Sequence, residues 1–228
     1  EVMSQQTQIN RVVAKYEAWM EKFPTIINVA NATVADVLQY WLGLGYNRRA
    51  LNLKKTAESI VANFDGMFPM TEKELLELPG IGKYTARAIL CFAFDQQVAV
   101  VDTNIRKIII TQFGIDGNDN ELQDIADQLL PKGKAYDWNQ ALMDYASAEL
   151  KREKISIPKQ SKFIGSHRYY RGQILKILLT KKKILIKDLG TMLKKEQGDN
   201  EQKWLQDLVQ ELVAEGFIQK EKDTIFLL

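Results

Sequence analysis

Between residues 9 and 150, apolar side chains recur every three or four positions. That spacing restricts most of the chain to short amphipathic helices packed against one another. INRVVAKYEAWMEKF (9–23) sets Val12, Val13, Tyr16, Trp19 and Met20 on one face, and Pro24 ends the run. TVADVLQYWLGLGY (33–46) opens on a Thr cap candidate and stops at the Gly43–Gly45 turn. RRALNLKKTAESIVANF (48–64) is followed by Gly66, and TEKELLEL (71–78) carries Thr71 and Glu74 at capping-box spacing. Further helix is expected through 88–94, 98–113, 119–130 and 137–150. The fold class is therefore all-α.

Beyond residue 150 the periodicity breaks. KREKISIPKQSKFIGSH (151–167), charged and carrying Pro158 and Gly165, reads as a linker. The segment 168–228 yields three helices and then a hairpin with FIQKE and TIFLL as its strands, which is the order of a small winged-helix-like module. A generic small helical domain is the alternative. The expected organisation is thus a helical domain over 1–150, a linker over 151–167 and the module over 168–228.

Composition narrows the function classes. No apolar run approaches the ~18 residues of a membrane span, and no secretory signal opens the chain. Cys91 is the single cysteine, which excludes a disulfide framework and any metal or iron–sulfur site that needs several thiolates from this chain. No cofactor or metal is expected, and a reducing compartment, the cytoplasm with its nucleoid, is the expected location. With a net charge of +2, the overall balance argues neither for nor against nucleic acid. The sequence opens EVMSQQTQIN without an initiator Met, so the natural protein is expected to begin earlier.

The local signal is LPGIGKYTARAI (78–89). A helical hairpin turned by G-x-G leaves backbone N–H groups bare at a helix N-terminus, where a phosphate can bind. Gly80 and Gly82 allow the close approach, and Lys83 adds a positive charge. A tight helix–helix turn is the structural alternative. Thirteen residues beyond Ile89, VDTN (101–104) places Asp102 among apolar neighbours. A carboxylate there must be paired, capping or reactive. Asp is also a favoured N-cap, and the two roles are compatible.

LPGIGKYTARAI followed by VDTN resembles the helix-hairpin-helix DNA glycosylases. EVMSQQTQINRV (1–12), WLGLGYNRRALNL (41–53) and WNQALMDYA (138–146) resemble the MutY-type adenine branch more than the endonuclease III branch. The likeness runs over about residues 1–146 in the same order. It implies that Glu1 is the acid that protonates the purine, that Asp102 stabilises the sugar cation, and that Asn104 is its polar partner. At position 84 the strand-cleaving relatives carry a Schiff-base lysine, so Tyr84 implies a glycosylase without lyase activity. Gln6 and Tyr46 match residues pushed into the base stack, with Arg48 and the hairpin's Gly80, Gly82 and Lys83 also on DNA. Gln140 matches a position near the base pocket. Without the resemblance, Tyr46 is an ordinary contact after a helix end, and Gln140 an ordinary surface amide.

The chain also departs from that pattern. After the WNQALMDYA-like segment the family's four cluster cysteines are absent, and Lys151, Arg152, Lys154, Lys159 and Lys162 are candidates for that loop's basic role. The tail is unlike the family's reader of oxidised guanine. GSHRYYRG (165–172) is either a basic–aromatic binding cluster or a segment packing its tyrosines on the core, and KKK (181–183) reads as a solvated helix end or turn. The implied function is hydrolytic removal of adenine mispaired with guanine or 8-oxoguanine in double-stranded DNA, by a monomer with no membrane attachment. A mismatch thymine or uracil glycosylase and a non-catalytic DNA-binding protein are the alternatives.

Overall fold

The structure, a computed structural model, describes residues 1–150, 162–193 and 199–228. In chain order it forms α1 (Ile9–Lys22), α2 (Ile26–Asn31), α3 (Val34–Trp41), α4 (Arg48–Asn63), α5 (Glu72–Leu76), α6 (Lys83–Phe92), α7 (Thr103–Phe113), α8 (Asp119–Leu129) and α9 (Ala135–Glu149). These are followed by α10 (His167–Lys181), β1 (Lys183–Leu185), α11 (Ile186–Met192), α12 (Asp199–Glu215), β2 (Ile218–Glu221) and β3 (Thr224–Leu227). Of the expected linker, 151–161 lies outside the described residues, and with it Lys151, Arg152, Lys154 and Lys159.

Three local differences from the sequence reading have physical causes. The short helix α2 arises from its cap: Thr25 Oγ1 accepts from Asn28 N at 3.3 Å, and Asn28 Oδ1 accepts from Thr25 N at 3.1 Å. Residues 98–102 are not helical, and α7 starts only after its cap residue Asp102. The lysines at 181–183 end α10 and turn, as expected, but the last of them also opens a strand. Lys182 takes φ 64° and Lys183 opens β1, which pairs with β3 in the register Ile184↔Ile225.

The chain divides into two compact units. One, described over 1–2 and 68–150, contains α5 to α9. Its core joins Leu75, Leu90, Ile105, Ile109 and Leu122, all at 2% exposure or less. Cys91 and Ala88 of α6 pack there with Val100 and with Ala135 of α9.

The other unit is discontinuous, described over 3–67, 162–193 and 199–228. Its C-terminal portion buries Ile174, Leu178, Leu189, Leu208, Phe217 and Ile225 completely or nearly so. The sheet order is β1-β3-β2, antiparallel throughout. Helices closed by a small sheet of this kind make the expected winged-helix-like module. It is joined to the N-terminal helices of the same unit: Ala35 N donates to Leu228 O at 3.0 Å, and Arg48 pairs with Glu215 at 2.5 Å.

Candidate active site

In the first unit, Thr71 caps α5, with its Oγ1 accepting from Glu74 N at 3.3 Å. The chain then turns through Leu78, Pro79, Gly80, Ile81 and Gly82. Leu78 and Ile81 are buried and anchor the turn. Gly80 sits at φ 76°, a conformation that a Cβ disfavours. Gly82 is different: it is extended at φ −93°, and a Cβ placed on it meets no atom within 4 Å. Its bareness serves nothing inside the protein. It leaves the N-terminus of α6 open, with Lys83 beside it reaching Asn120 Oδ1 at 3.1 Å.

Helix α6 carries Tyr84 on the same face as Ala88 and Cys91, so the ring packs towards the core cluster around Val100 and Ala135. The phenol reaches Glu1, to whose carboxylate it donates a hydrogen bond. Burial pushes the Tyr84 pKa well above the usual phenol range, and the negative charges of Glu1 and Asp102 and the bond to Glu1 push it the same way. Tyr84 is therefore a neutral donor at physiological pH, held near two carboxyl groups.

Asp102 ends the non-helical stretch and caps α7. Its Oδ1 accepts from Ile105 N at 2.7 Å, and its Oδ2 accepts from Asn104 Nδ2 at 2.9 Å. Burial raises its pKa from the ordinary carboxylate value, and these hydrogen bonds pull it back only in part. Glu1, Tyr84, Asp102 and Asn104 thus share one unit and one neighbourhood.

Three positioning residues escaped the sequence reading. Asn139, 1% exposed, accepts from Val100 N at 2.9 Å and donates to Val98 O at 3.1 Å. On the opposite edge of the same stretch, Ala99 O accepts from Arg87 Nη1 at 3.0 Å and from Gln123 Nε2 at 3.2 Å. Arg87 is itself held by Glu72 at 3.1 Å and by Asp127 at 2.7 Å. No local signal singles out Asn139 beside Gln140 in WNQALMDYA, because adjacent helix positions lie about 100° apart and do not share a face. Gln140 itself is exposed on α9 and donates to Asp144 Oδ1 at 3.0 Å.

The remaining expected DNA contacts lie in the second unit. Gln6 (φ 52°) and Tyr46 (φ 48°) both take left-handed backbone that non-glycine residues seldom adopt. Arg48, 66% exposed at its side chain, is engaged by Glu215. In GSHRYYRG the aromatics pack within the protein, Tyr169 against Phe163 and Tyr170 against Trp204. His167 lies 3.3 Å from Glu211, and Arg171 pairs with Glu211 and Glu215.

The sequence model of the HhH-GPD superfamily base excision DNA repair proteins matches residues 1–132. The chain belongs to that superfamily. Among curated relatives, it is 40% identical over 151 residues to the adenine DNA glycosylase of Rattus norvegicus, a match covering 63% of this chain and 29% of that protein. It is 47% identical over 109 residues to the adenine DNA glycosylase of Mycolicibacterium smegmatis, covering 48% of this chain and 37% of that one. This superfamily member therefore spans well under half the length of these relatives. Among solved structures, a thermostable thymine-DNA glycosylase superposes with a TM-score of 0.62 at 28% identity, over 67% of this chain and 73% of that one. A non-covalent endonuclease III–DNA complex, at 21% identity and a TM-score of 0.59 over the same shares, matches in fold.

Proposed function

We propose that this chain is a monofunctional DNA glycosylase of base excision repair that removes adenine mispaired with guanine or 8-oxoguanine. The observation that carries the reading is the Glu1–Tyr84–Asp102–Asn104 neighbourhood, in a chain similar to adenine DNA glycosylases. Adenine leaves poorly as an anion. Glu1, held by the Tyr84 phenol, gives a proton to the purine ring, so the base departs neutral as the N-glycosidic bond breaks. The sugar C1′ becomes cationic, and the Asp102 carboxylate, fixed by Ile105 N and Asn104, stabilises that charge. Water then adds to C1′ and gives its proton to the Glu1 carboxylate, which restores the acid and leaves an abasic site.

Tyr84 offers no amine, so no imine forms with the sugar and the strand stays intact. The open N-terminus of α6, with Gly80, Gly82 and Lys83, grips a backbone phosphate of the duplex. Gln6, Tyr46 and Arg48 provide further contacts to the DNA, and the protein works as a monomer. No helix among the described residues is long and apolar enough to cross a membrane.

A second reading, removal of thymine from a mispair, has its support in the 28% identity and shared fold of the thymine-DNA glycosylase. Single-turnover base release distinguishes the two. The duplexes present A opposite 8-oxoguanine, A opposite G, T opposite G and U opposite G, with Asp102→Asn as the control. Adenine release that falls by about 10²–10³ in the control is the expected result. Thymine or uracil release overturns the adenine assignment. Tight binding without any release leaves a DNA-binding protein and overturns the enzyme.

A further inference from the structure

Two carboxylates in the second unit stand where helix electrostatics disfavours them. Glu215 ends α12, Glu211 lies one turn before it, and no basic residue occupies the last turn. Like charges at this spacing repel each other, and the helix C-terminus adds its own partial negative charge. The sequence of α12 holds Asp199, Glu201, Asp207, Glu211 and Glu215 against the single Lys203. In the order α11–α12, the second helix has the place of one that reads a DNA groove. Its charge is unsuited to a groove lined by phosphates.

Cations from two other helices hold the pair. Arg171 of α10 donates from Nη1 to Glu211 Oε2 at 2.8 Å and from Nη2 to Glu215 Oε2 at 2.5 Å. His167, one turn earlier on α10, lies 3.3 Å from Glu211. From α4, Arg48 Nη2 meets Glu215 Oε1 at 2.5 Å. Lys55, two turns along the same face of α4, donates to Glu215 O at 3.4 Å. Burial by itself would raise the Glu215 pKa, but the bonds from Arg171 and Arg48 outweigh it and hold the carboxyl below its usual range. Glu215 is therefore ionised at neutral pH.

The two guanidiniums on Glu215 are not equally fixed. The Arg171 side chain is 19% exposed and grips both carboxylates, so it belongs to the frame. The Arg48 side chain is 66% exposed. An ion pair made by so exposed a side chain contributes little to stability and is open to exchange. Carboxylate and phosphate oxygens accept from a guanidinium in the same way, so either can fill Arg48.

We infer that Glu215 stands in for a DNA phosphate: it occupies Arg48 in the free protein, and a duplex must displace it. The inference rests on the proposed function for Arg48 as a DNA contact, not on the chemistry of base release. Once displaced, Glu215 stays on Arg171 beside the incoming phosphate and repels it. Being partly buried, that repulsion is screened less than one between surface charges. The C-terminal module thereby weakens the hold on paired DNA, the form that surrounds every lesion.

The test is binding of the whole chain to a fully paired duplex, read by fluorescence anisotropy at several salt concentrations. Glu215→Gln keeps the size of the side chain and removes its charge. It should bind about tenfold tighter than the parent at about 50 mM salt. Glu211→Gln removes an equal charge one turn away and leaves Arg48 paired, so its gain should be much smaller. Arg48→Gln should flatten the slope of log K against log[salt] by about 0.9, the share of one phosphate contact. In that background, Glu215→Gln should gain no more than Glu211→Gln does in the parent.

An affinity of Glu215→Gln no higher than the parent's overturns the inference and leaves the Arg48–Glu215 pair a structural tie. Equal gains from Glu215→Gln and Glu211→Gln overturn it too, since they mark a general charge effect. So does a gain that survives in Arg48→Gln, or a slope that Arg48→Gln leaves unchanged. Urea unfolding runs beside each variant, and a lowered midpoint does not imitate a gain in affinity. Should Glu215→Gln fail to fold, the Glu215 carboxyl carbon of the parent is followed by NMR. Its signal should move when the duplex is added, and a signal that stays in place overturns the inference. Adenine release by the parent keeps the two claims apart. Its absence overturns the enzyme and leaves the affinity comparison standing.

Discussion

Replacing Asn139 with Ala removes the clamp on one edge of the 98–101 stretch, and the consequences follow from the hydrogen bonds this side chain makes. Asn139 is 1% exposed, so no water takes its place cheaply. Val100 N is deprived of its acceptor and Val98 O of a donor. Each backbone group left without a partner in the interior costs about 1–3 kcal/mol. The bond from Nδ2 to Ala135 O, at 2.8 Å, adds less, because that carbonyl also lies in the first turn of α9. The contact with Cys91 Sγ at 3.3 Å is weak. The sum is a destabilisation of about 2–6 kcal/mol, read as a fall in the urea midpoint at unchanged slope. Base release is then measured well below the new melting temperature. Asp102 follows Val101 directly, and a displacement of about 1 Å at a reacting group costs up to about 10²-fold in rate. A midpoint shift worth less than about 0.5 kcal/mol would show that the two backbone groups do not depend on Asn139. A large shift with an unchanged rate would show that Asp102 is positioned from α7 alone.

The two hairpin glycines should separate cleanly. Gly80→Ala places a Cβ at φ 76° and should destabilise by about 1–2 kcal/mol in urea unfolding. Gly82→Ala keeps a permitted backbone with open space around it, so its stability should change by less than about 1 kcal/mol while duplex affinity, measured at fixed salt, falls about tenfold. For Asp102 the sign follows from its raised folded-state pKa: folding favours the neutral carboxyl. Its contribution to stability is present below the unfolded carboxylate pKa and is lost as pH rises through the folded value. Asp102→Asn should therefore melt at an equal or higher temperature than the parent at neutral pH. The acid limb of the parent's base release should lie above the ordinary Asp pKa of about 3.9.

Much of the helical frame was legible because its signals are local. The spacing of Val12 and Trp19 and the Thr71 cap on Glu74 N are set within one or two turns of helix, and α1 and α5 follow from them. Asp102 as a cap was legible for the same reason, since the cap bond spans three residues. The stretch 98–102 was not, because Val98, Val100 and Val101 extend an apolar run that fits a buried helix equally well. Its conformation is decided by Arg87, Gln123 and Asn139, which stand 12, 24 and 39 residues away from the groups they bind. The strand β1 was missed on similar grounds: three residues carry no period, and only the pairing with β3 makes them a strand.

That stretch also explains how a helical protein can hold a carboxylate steady at a helix end. In an extended segment, successive peptide groups point to opposite edges, so each edge needs its own hydrogen-bonding partner. Here Val98 O and Val100 N meet the Asn139 amide on one edge, and Ala99 O meets Arg87 and Gln123 on the other. Side-chain amides and a guanidinium thus take the place of two neighbouring β-strands. A helix running into Asp102 would use up those peptide groups internally and leave the carboxylate in mid-helix, where neither Ile105 N nor the positive end of the α7 dipole could stabilise it. The break in helix places Asp102 at an N-cap, and the cap bonds oppose the burial that would otherwise neutralise it. The balance leaves a poorly solvated carboxylate whose charge is best compensated by a cation forming beside it.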